Sequence, residues 1–258
     1  MPKKKNVERP YYTPAERIRR VWDIEEIKDL MGRRGFYQAN DMRREELTDL
    51  WVTQAQHQKT ASMGSNWGYY VGMKDISYYY VVKHDEDRRK QLEQYTQAHP
   101  EVANTEDNLG YGCMVWHPVS TPMVILADDG KTAKGFWYVI GQESVATGAP
   151  LAECSWYMDR LAVDFVKEDG RWKIWHLVVA NDLCLEAGRD AEELLSKPLP
   201  GTWPPENEFL AGEPTIRMLT HNSAMNWSDN YPFLPEPYVT FRDEISYGPE
   251  GHPDYEEE

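Results

Sequence analysis

Residues 157–179, YMDRLAVDFVKEDGRWKIWHLVV, hold two apolar, β-branched and aromatic runs separated by Glu168-Asp169-Gly170. Acidic residues followed by glycine between two such runs are the signature of a tight β-hairpin. The same character recurs upstream in Cys113 to Trp116, Met123 to Leu126, Ala133 to Ile140 and Cys154 to Val166, with a second turn signal at Asp128-Asp129-Gly130. Together these runs predict a meander of antiparallel strands.

Before Gly110 the pattern is helical. Thr13 can cap the orphan amides of a helix start, Pro14 suits the first helical position, and Glu16 can complete a capping box. Ile18, Val21, Ile24, Ile27, Leu30 and Met31 then recur at three- and four-residue spacing as one apolar stripe. A second short helix is expected from near Arg43, carrying Leu47, Leu50 and Trp51. Gly64, Gly68 and Gly72 interrupt the pattern around Trp67, Tyr69 and Tyr70 as a loop or short strand, and a third helix is expected from Lys74 to about Gln97. Helices followed by strands define an α+β protein, with the helices on one face of a curved sheet.

Beyond Leu185 the period is lost and prolines accumulate, among them Pro198, Pro200, Pro204, Pro205 and Pro214. The segment nevertheless carries Trp203, Phe209, Ile216, Met218, Leu219, Trp227, Tyr231, Phe233, Tyr238 and Phe241, residues that disordered tails lack. It is expected to fold over the domain or onto a neighbouring subunit. The chain thus divides into an expected flexible N-terminus (1–12), an α+β domain (13–185) and an aromatic, proline-rich arm (186–258).

With 28 Lys and Arg against 43 Asp and Glu, the net charge of -15 repels phosphate backbones and anionic lipid surfaces, so neither nucleic acid nor membrane is expected as a partner. Lys3, Lys4 and Lys5 read as a solvated tail. No apolar run approaches the ~18 to 20 residues of a membrane span, and no apolar segment follows the basic cluster at the N-terminus, so a cytoplasmic location is expected. Cys113, Cys154 and Cys184 are widely spaced without a CxxC, the histidines show no HxxxH or HxH, and no GxGxxG is present. No metal and no nicotinamide cofactor is expected. Sixteen Tyr and ten Trp exceed one core's needs and point to a pocket or a subunit interface.

Residues 23–52, 117–139 and 157–179 together resemble the NTF2-like superfamily in its SnoaL-like branch, which includes polyketide cyclases, scytalone dehydratase, ketosteroid isomerase and bile-acid dehydratase. The resemblance spans roughly residues 15–185 and implies a cone-shaped α+β domain whose curved antiparallel sheet wraps around helices and a small-molecule pocket. His117, four residues before Thr121-Pro122, matches the histidine of the dehydratase and isomerase pattern. The pattern's Asp falls at Asn40, with Asp41 beside it. Its Tyr falls at Gly35, with Tyr37 close by, and an Arg of the bile-acid dehydratase falls at Asn181.

A neutral histidine in a water-poor pocket can remove a proton and return it. Asp41 or a tyrosine can orient His117; the alternative is a structural histidine at a strand entrance. The Asn40 amide can bond a substrate oxygen or cap its helix, Tyr37 can donate a phenolic proton or pack, and Asp41 can equally be a helix-end charge. In QHQKTAS, an extended chain sends His57 and Lys59 to one face. His176 and Asn181 fall on opposite faces of the last strand by parity. Trp67, Trp137 and Tyr157 are the expected pocket wall, as an alternative to core. The expectation is a cofactor-independent lyase for a hydrophobic, aromatic or phenolic small molecule, releasing water or, as in the related lyases of lignin-derived diaryl dimers, formaldehyde. An isomerase or cyclase, or a non-catalytic binding or assembly protein, can use the same pocket. The arm is expected to strap together a homodimer or homotrimer.

Overall fold

The computed structural model describes residues 10–146, 153–186, 214–218 and 231–256. Helix α1 (Pro14–Ala39) begins at a complete capping box: the Thr13 hydroxyl accepts from the Glu16 N–H, and the Glu16 carboxylate accepts from the Thr13 N–H. Only the second half of the predicted stripe is buried. Ile27, Leu30 and Met31 enter the core, whereas Ile18 and Val21 face water. Polar contacts turn the first half the other way. Arg20 donates to the carbonyls of Leu126 and Ala127, and Asp23 accepts from Lys167 and from the Trp172 indole.

Helices α2 (Arg43–Leu50) and α3 (Ala55–Thr60) follow, then strands β1 (Ser62–Ser65) and β2 (Gly68–Val71). The stretch around His57 and Lys59 is helical rather than extended. The Glu168 carboxylate accepts from the backbone N–H groups of Thr53 and Gln54 and so satisfies orphan donors where α3 begins. The next helical stretch runs as α4 (Met73–Ser77), one π turn (Tyr78–Lys83) and α5 (His84–Ala98). In the wider π turn the successive rings Tyr79 and Tyr80 both pack against the core. Among the described residues no helix is long and apolar enough to cross a membrane.

Strands β3 (Cys113–Trp116), β4 (Val119–Leu126), β5 (Thr132–Val145), β6 (Glu153–Glu168), β7 (Arg171–Glu186) and β8 (Ile216–Arg217) join β1 and β2 in one curved sheet. Its order is β3-β5-β6-β7-β1-β2-β8, with β4 also paired to β5. The β6–β7 turn places Asp169 at φ 48° and Gly170 at φ 80°, the left-handed pair that lets two long strands keep their twist through a two-residue loop. All pairings are antiparallel except β1 with β7. Register shifts at Ser120/Met123, Met158/Asp159 and Asp164/Phe165 bend the sheet.

The sheet has two apolar faces. Trp137, Leu161, Val163, Phe165 and Leu177 meet Ile27, Leu50, Trp51 and Tyr80 on the inner side. On the outer side Phe136, Ala162, Val178 and Ala180 are covered by Met218, Tyr231 and Tyr247. The described part of the arm therefore packs on its own sheet, while Trp203, Phe209, Leu219 and Trp227 lie outside the described residues. Buried Lys134 and Asp164 form an ion pair that fastens this part of the arm. The Lys134 ammonium also donates to the Ile245 carbonyl and stands 3.5 Å from the centre of the Tyr247 ring. Asp164 accepts from the Tyr247 N–H at 2.6 Å and the Ser246 hydroxyl at 3.2 Å.

Burial alone would raise the Asp164 pKa, but Lys134 and His176 hold it below the ordinary carboxylate value. Its stabilising contribution is therefore complete above the unfolded carboxylate range, near pH 4, and is lost as pH falls through the depressed folded value. Asp164→Ala should destabilise the protein by about 3–5 kcal/mol in urea unfolding at pH 7, because it strands a buried ammonium, whereas Lys134→Met combined with Asp164→Leu should cost far less. Equal losses in the two proteins would contradict the latch.

Candidate active site

Toward the start of β6 the inner face turns from apolar to polar. Phe165, Val163 and Leu161 point inward along β6, and the pleat carries Asp159 and Tyr157 to the same side. Register sets Asp159 between Val139 and Asn181, and Tyr157 between Gly141 and Cys184. The Asn181 Nδ2 donates to Asp159 Oδ1 at 2.6 Å. Asn66 fixes Asn181 by a pair of 2.8 Å hydrogen bonds to its backbone. Asn181 Oδ1 is buried with no hydrogen-bond partner. Burial raises the Asp159 pKa to about 7, against the pull of the Asn181 amide, with Glu143 and Asp182 adding to the rise.

His117 lies between β3 and β4, over the bare backbone of Gly141, where an added Cβ would fall 2.1 Å from the imidazole. Its ring meets Tyr157 edge-on at 5.8 Å. Nε2 is 3.4 Å from Glu143 Oε1 but is not aligned for a hydrogen bond, leaving a buried nitrogen unpartnered. Burial, reinforced by Arg34 and Arg43, lowers the His117 pKa to about 4. Arg34 itself is buried on α1, donating to the Tyr80 hydroxyl at 3.1 Å and standing 3.2 Å from Glu46.

A cleft of about 160 Å3 reaches this region through Glu143; much of its other lining is charged, with Arg43, Lys83, His84, Asp87 and Arg88 around Tyr79, and His117, Asp159 and Asn181 are not part of it. Tyr79 stacks on Tyr70 at 4.3 Å, and the Trp67 indole donates to the Tyr70 hydroxyl at 3.3 Å. A larger cavity of about 630 Å3 lies on the outer face among Lys134, Tyr231, Phe233 and Tyr247. None of the unpartnered buried polar atoms belongs to its lining, whereas His117 and Asn181 orient theirs inside the cone. Among the described residues no group of three His, Cys, Asp or Glu could hold a metal ion.

The SnoaL-like domain profile matches residues 19–178, more than half of the chain. The chain belongs to the SnoaL-like family. Similar solved structures include a hexachlorocyclohexane dehydrochlorinase from Novosphingobium barchaimii, with 12% identity over 67% of this chain and 95% of that one and a TM-score of 0.45. Another is an NTF2-like protein with a cystatin-like fold from Novosphingobium aromaticivorans, with 18% identity over 71% of this chain and 94% of that one and a TM-score of 0.40. No curated protein matches the chain.

Within this SnoaL-like cone the residues singled out from sequence separate. His117 meets Tyr157 edge-on, and Asn181 binds Asp159 two residues further along the same face of β6; the Trp67 indole donates to the buried Tyr70 hydroxyl. Asn40 donates to the Phe36 carbonyl of its own helix and is exposed. Asp41, at φ 57°, binds His84, Arg43 and Arg88 rather than His117. The Tyr37 hydroxyl donates to Asp49 at 2.7 Å. His57 pairs with Glu168 at 2.7 Å beside the hairpin turn, and Lys59 points to water on α3. Trp137 shares the inner face but is deep core, edge-on to Phe165 at 6.1 Å. His176 faces the outer side, 3.0 Å from Asp164 and 2.9 Å from the Ser246 hydroxyl.

Asp159, Glu143 and Arg34 escaped the sequence reading. The signal for Asp159 was an aspartate sharing strand parity with Leu161, Val163 and Phe165, a polar side chain on the apolar face. Because its folded pKa is raised, Asp159 favours folding fully below the unfolded value of 3.8 and progressively less as pH rises through about 7. Asp159→Asn should remove a decline on the order of 4 kcal/mol over that window, measured as unfolding free energy against pH. Parallel curves for the two proteins would show an ordinary carboxylate.

Proposed function

We propose that the chain is a lyase that eliminates water from an aromatic alcohol by paired proton transfer, without metal or nicotinamide. The observation that carries this reading is an inversion of two pKa values around one site: the Asp159 carboxyl is raised to about 7 and the His117 imidazole lowered to about 4. Near neutrality the carboxyl still holds a proton in much of the population, while the imidazole is neutral. Environments that push two titrating groups apart in this way assign acid and base.

His117 Nε2 takes a proton from the substrate carbon, and the electron pair left behind forms the new double bond. The carbon–oxygen bond breaks, and the departing hydroxyl takes the Asp159 proton and leaves as water. Glu143, with Oε1 3.4 Å from Nε2, places its carboxyl beside the ring that becomes charged. Asn181 Oδ1 accepts from a substrate hydroxyl, meeting the hydrogen bond that the empty pocket leaves unmade. Tyr79, stacked on buried Tyr70, presents an aromatic face to the cleft that Glu143 also lines.

Incubation with aryl alcohols that carry a hydrogen on the carbon next to the one bearing the hydroxyl, followed by mass analysis, should show products lighter by one water. His117→Ala and Asp159→Asn should each lower kcat by about 100-fold or more, with folding retained by circular dichroism. The rate should fall below pH ~4, as His117 gains a proton, and above pH ~7, as Asp159 loses one. A chelator should leave the rate unchanged. Products of unchanged mass would replace elimination by isomerisation, and binding unaffected by His117→Ala without turnover would make the cone a binding module.

A further inference from the structure

The cleft that reaches the site through Glu143 reverses the sign of the chain around it. The sequence holds 43 acidic against 28 basic residues, yet Arg43, Lys83 and Arg88 all line this one cleft, with Asp87 and Glu143 as its lining carboxyls. Lys83 is matched by Asp87 at 3.3 Å. Arg43, at the start of α2, and Arg88, on α5, share one carboxylate: Asp41 stands 3.4 Å from Nε of the first and 3.3 Å from Nε of the second. Asp41 also binds His84, whose pKa burial holds below the ordinary value, so that its ring adds no charge near neutrality. Burial raises the Glu143 pKa, which weakens the remaining negative charge. Two guanidiniums thus face one carboxylate. Their side chains are only 18% and 9% exposed, so water does little to compensate. Arg88 commits a second nitrogen to Gln91 Oε1 at 2.8 Å. Arg43 makes no hydrogen bond to any described residue through its two terminal nitrogens.

We propose that Arg43 receives a carboxylate of the substrate, with Arg88 adding positive charge beside it, so that the aromatic alcohol turned over here is an aryl hydroxy acid. The ligand's role as substrate rests on the elimination proposed for this site. A planar guanidinium with both terminal nitrogens free matches the two oxygens of a carboxylate. One added negative charge closes the balance of two guanidiniums against Asp41, whereas a doubly charged phosphate overshoots it beside Asp87 and Glu143. Tyr79 and Glu143 line the same cleft, and Glu143 Oε1 lies 3.4 Å from His117 Nε2. A ligand anchored at Arg43 can therefore lay its ring on Tyr79 and turn its reacting carbon toward the imidazole. The charge of Arg43 contributes to lowering the His117 pKa, which puts the two within electrostatic reach. In a chain carrying -15, a locally cationic cleft also draws in an anion that the rest of the surface repels.

Hydrocinnamate lacks an aliphatic hydroxyl and so binds without reacting, and its amide keeps the shape without the charge. Calorimetric titration should give the acid a Kd about 10- to 100-fold below that of the amide, the worth of one hydrogen bond to a charged group. Arg43→Gln should bring the two Kd values together, and Arg43→Lys should restore part of the gap. Arg89→Gln, at an exposed pair with Glu106, should leave it intact. In the unaltered protein the acid should shift the NMR signals of His84, which lines the cleft, but not those of His99 past the far end of α5. Equal Kd values for acid and amide, no saturable binding of the acid at millimolar concentration, or tighter binding of inorganic phosphate would overturn the proposal. So would a preference for the acid unchanged in Arg43→Gln, since a merely structural arginine leaves that ratio alone. The chemistry is tested separately. If β-hydroxyhydrocinnamate binds with the acid preference but never loses water, the elimination fails and the carboxylate site stands; if acid and amide lose water equally well, the site fails and the elimination stands.

Discussion

Two aspartates on strand β6 are buried on opposite faces of one sheet, and the contrast between them organises the molecule. Asp164 faces outward, where Lys134, His176 and the arm supply charge and hydrogen bonds; its pKa falls. Asp159 faces inward, where a single amide donates to it and Glu143 and Asp182 oppose its charge; its pKa rises to about 7. The residue type is the same, and the surroundings decide whether it fastens structure or exchanges a proton. Continuous pairing of β6 with both neighbours holds the two environments apart. The register shifts at each aspartate are where the sheet bends to close the cone on one side and receive the arm on the other.

Much of the fold was legible because its signals are local. The Glu168-Asp169-Gly170 turn needs left-handed backbone at two positions, and the capping box needs only neighbours three residues apart. Misreadings arose where distant partners overrode local pattern. The His57 stretch looks extended until Glu168, more than a hundred residues away, caps it as a helix. Ile18 and Val21 fit an apolar stripe, yet Arg20 and Asp23 supply the contacts that orient the helix.

The site was legible only in part, for the same reason. His117 and Asn181 were both singled out through the family pattern, and both reach the inner face. Asn40, Asp41 and Tyr37 lie near the expected place in sequence, but Asn40 bonds within its own helix, Asp41 is held by His84 and Arg88 of α5, and Tyr37 donates to Asp49 of α2. Asp159 was visible only as a charged residue in an apolar rhythm, which sequence alone reads equally as a surface position. Its meaning depends on the cross-strand neighbours Asn181 and Val139, which only the sheet register supplies.

The account rests on a carboxyl group that keeps its proton near neutrality while a neighbouring histidine does not. Direct titration of the Asp159 side chain by carbon-13 NMR, assigned by comparison with Asp159→Asn, tests that claim without reference to any substrate. The account predicts a midpoint near 7; a midpoint near the ordinary aspartate value of about 4 would contradict it.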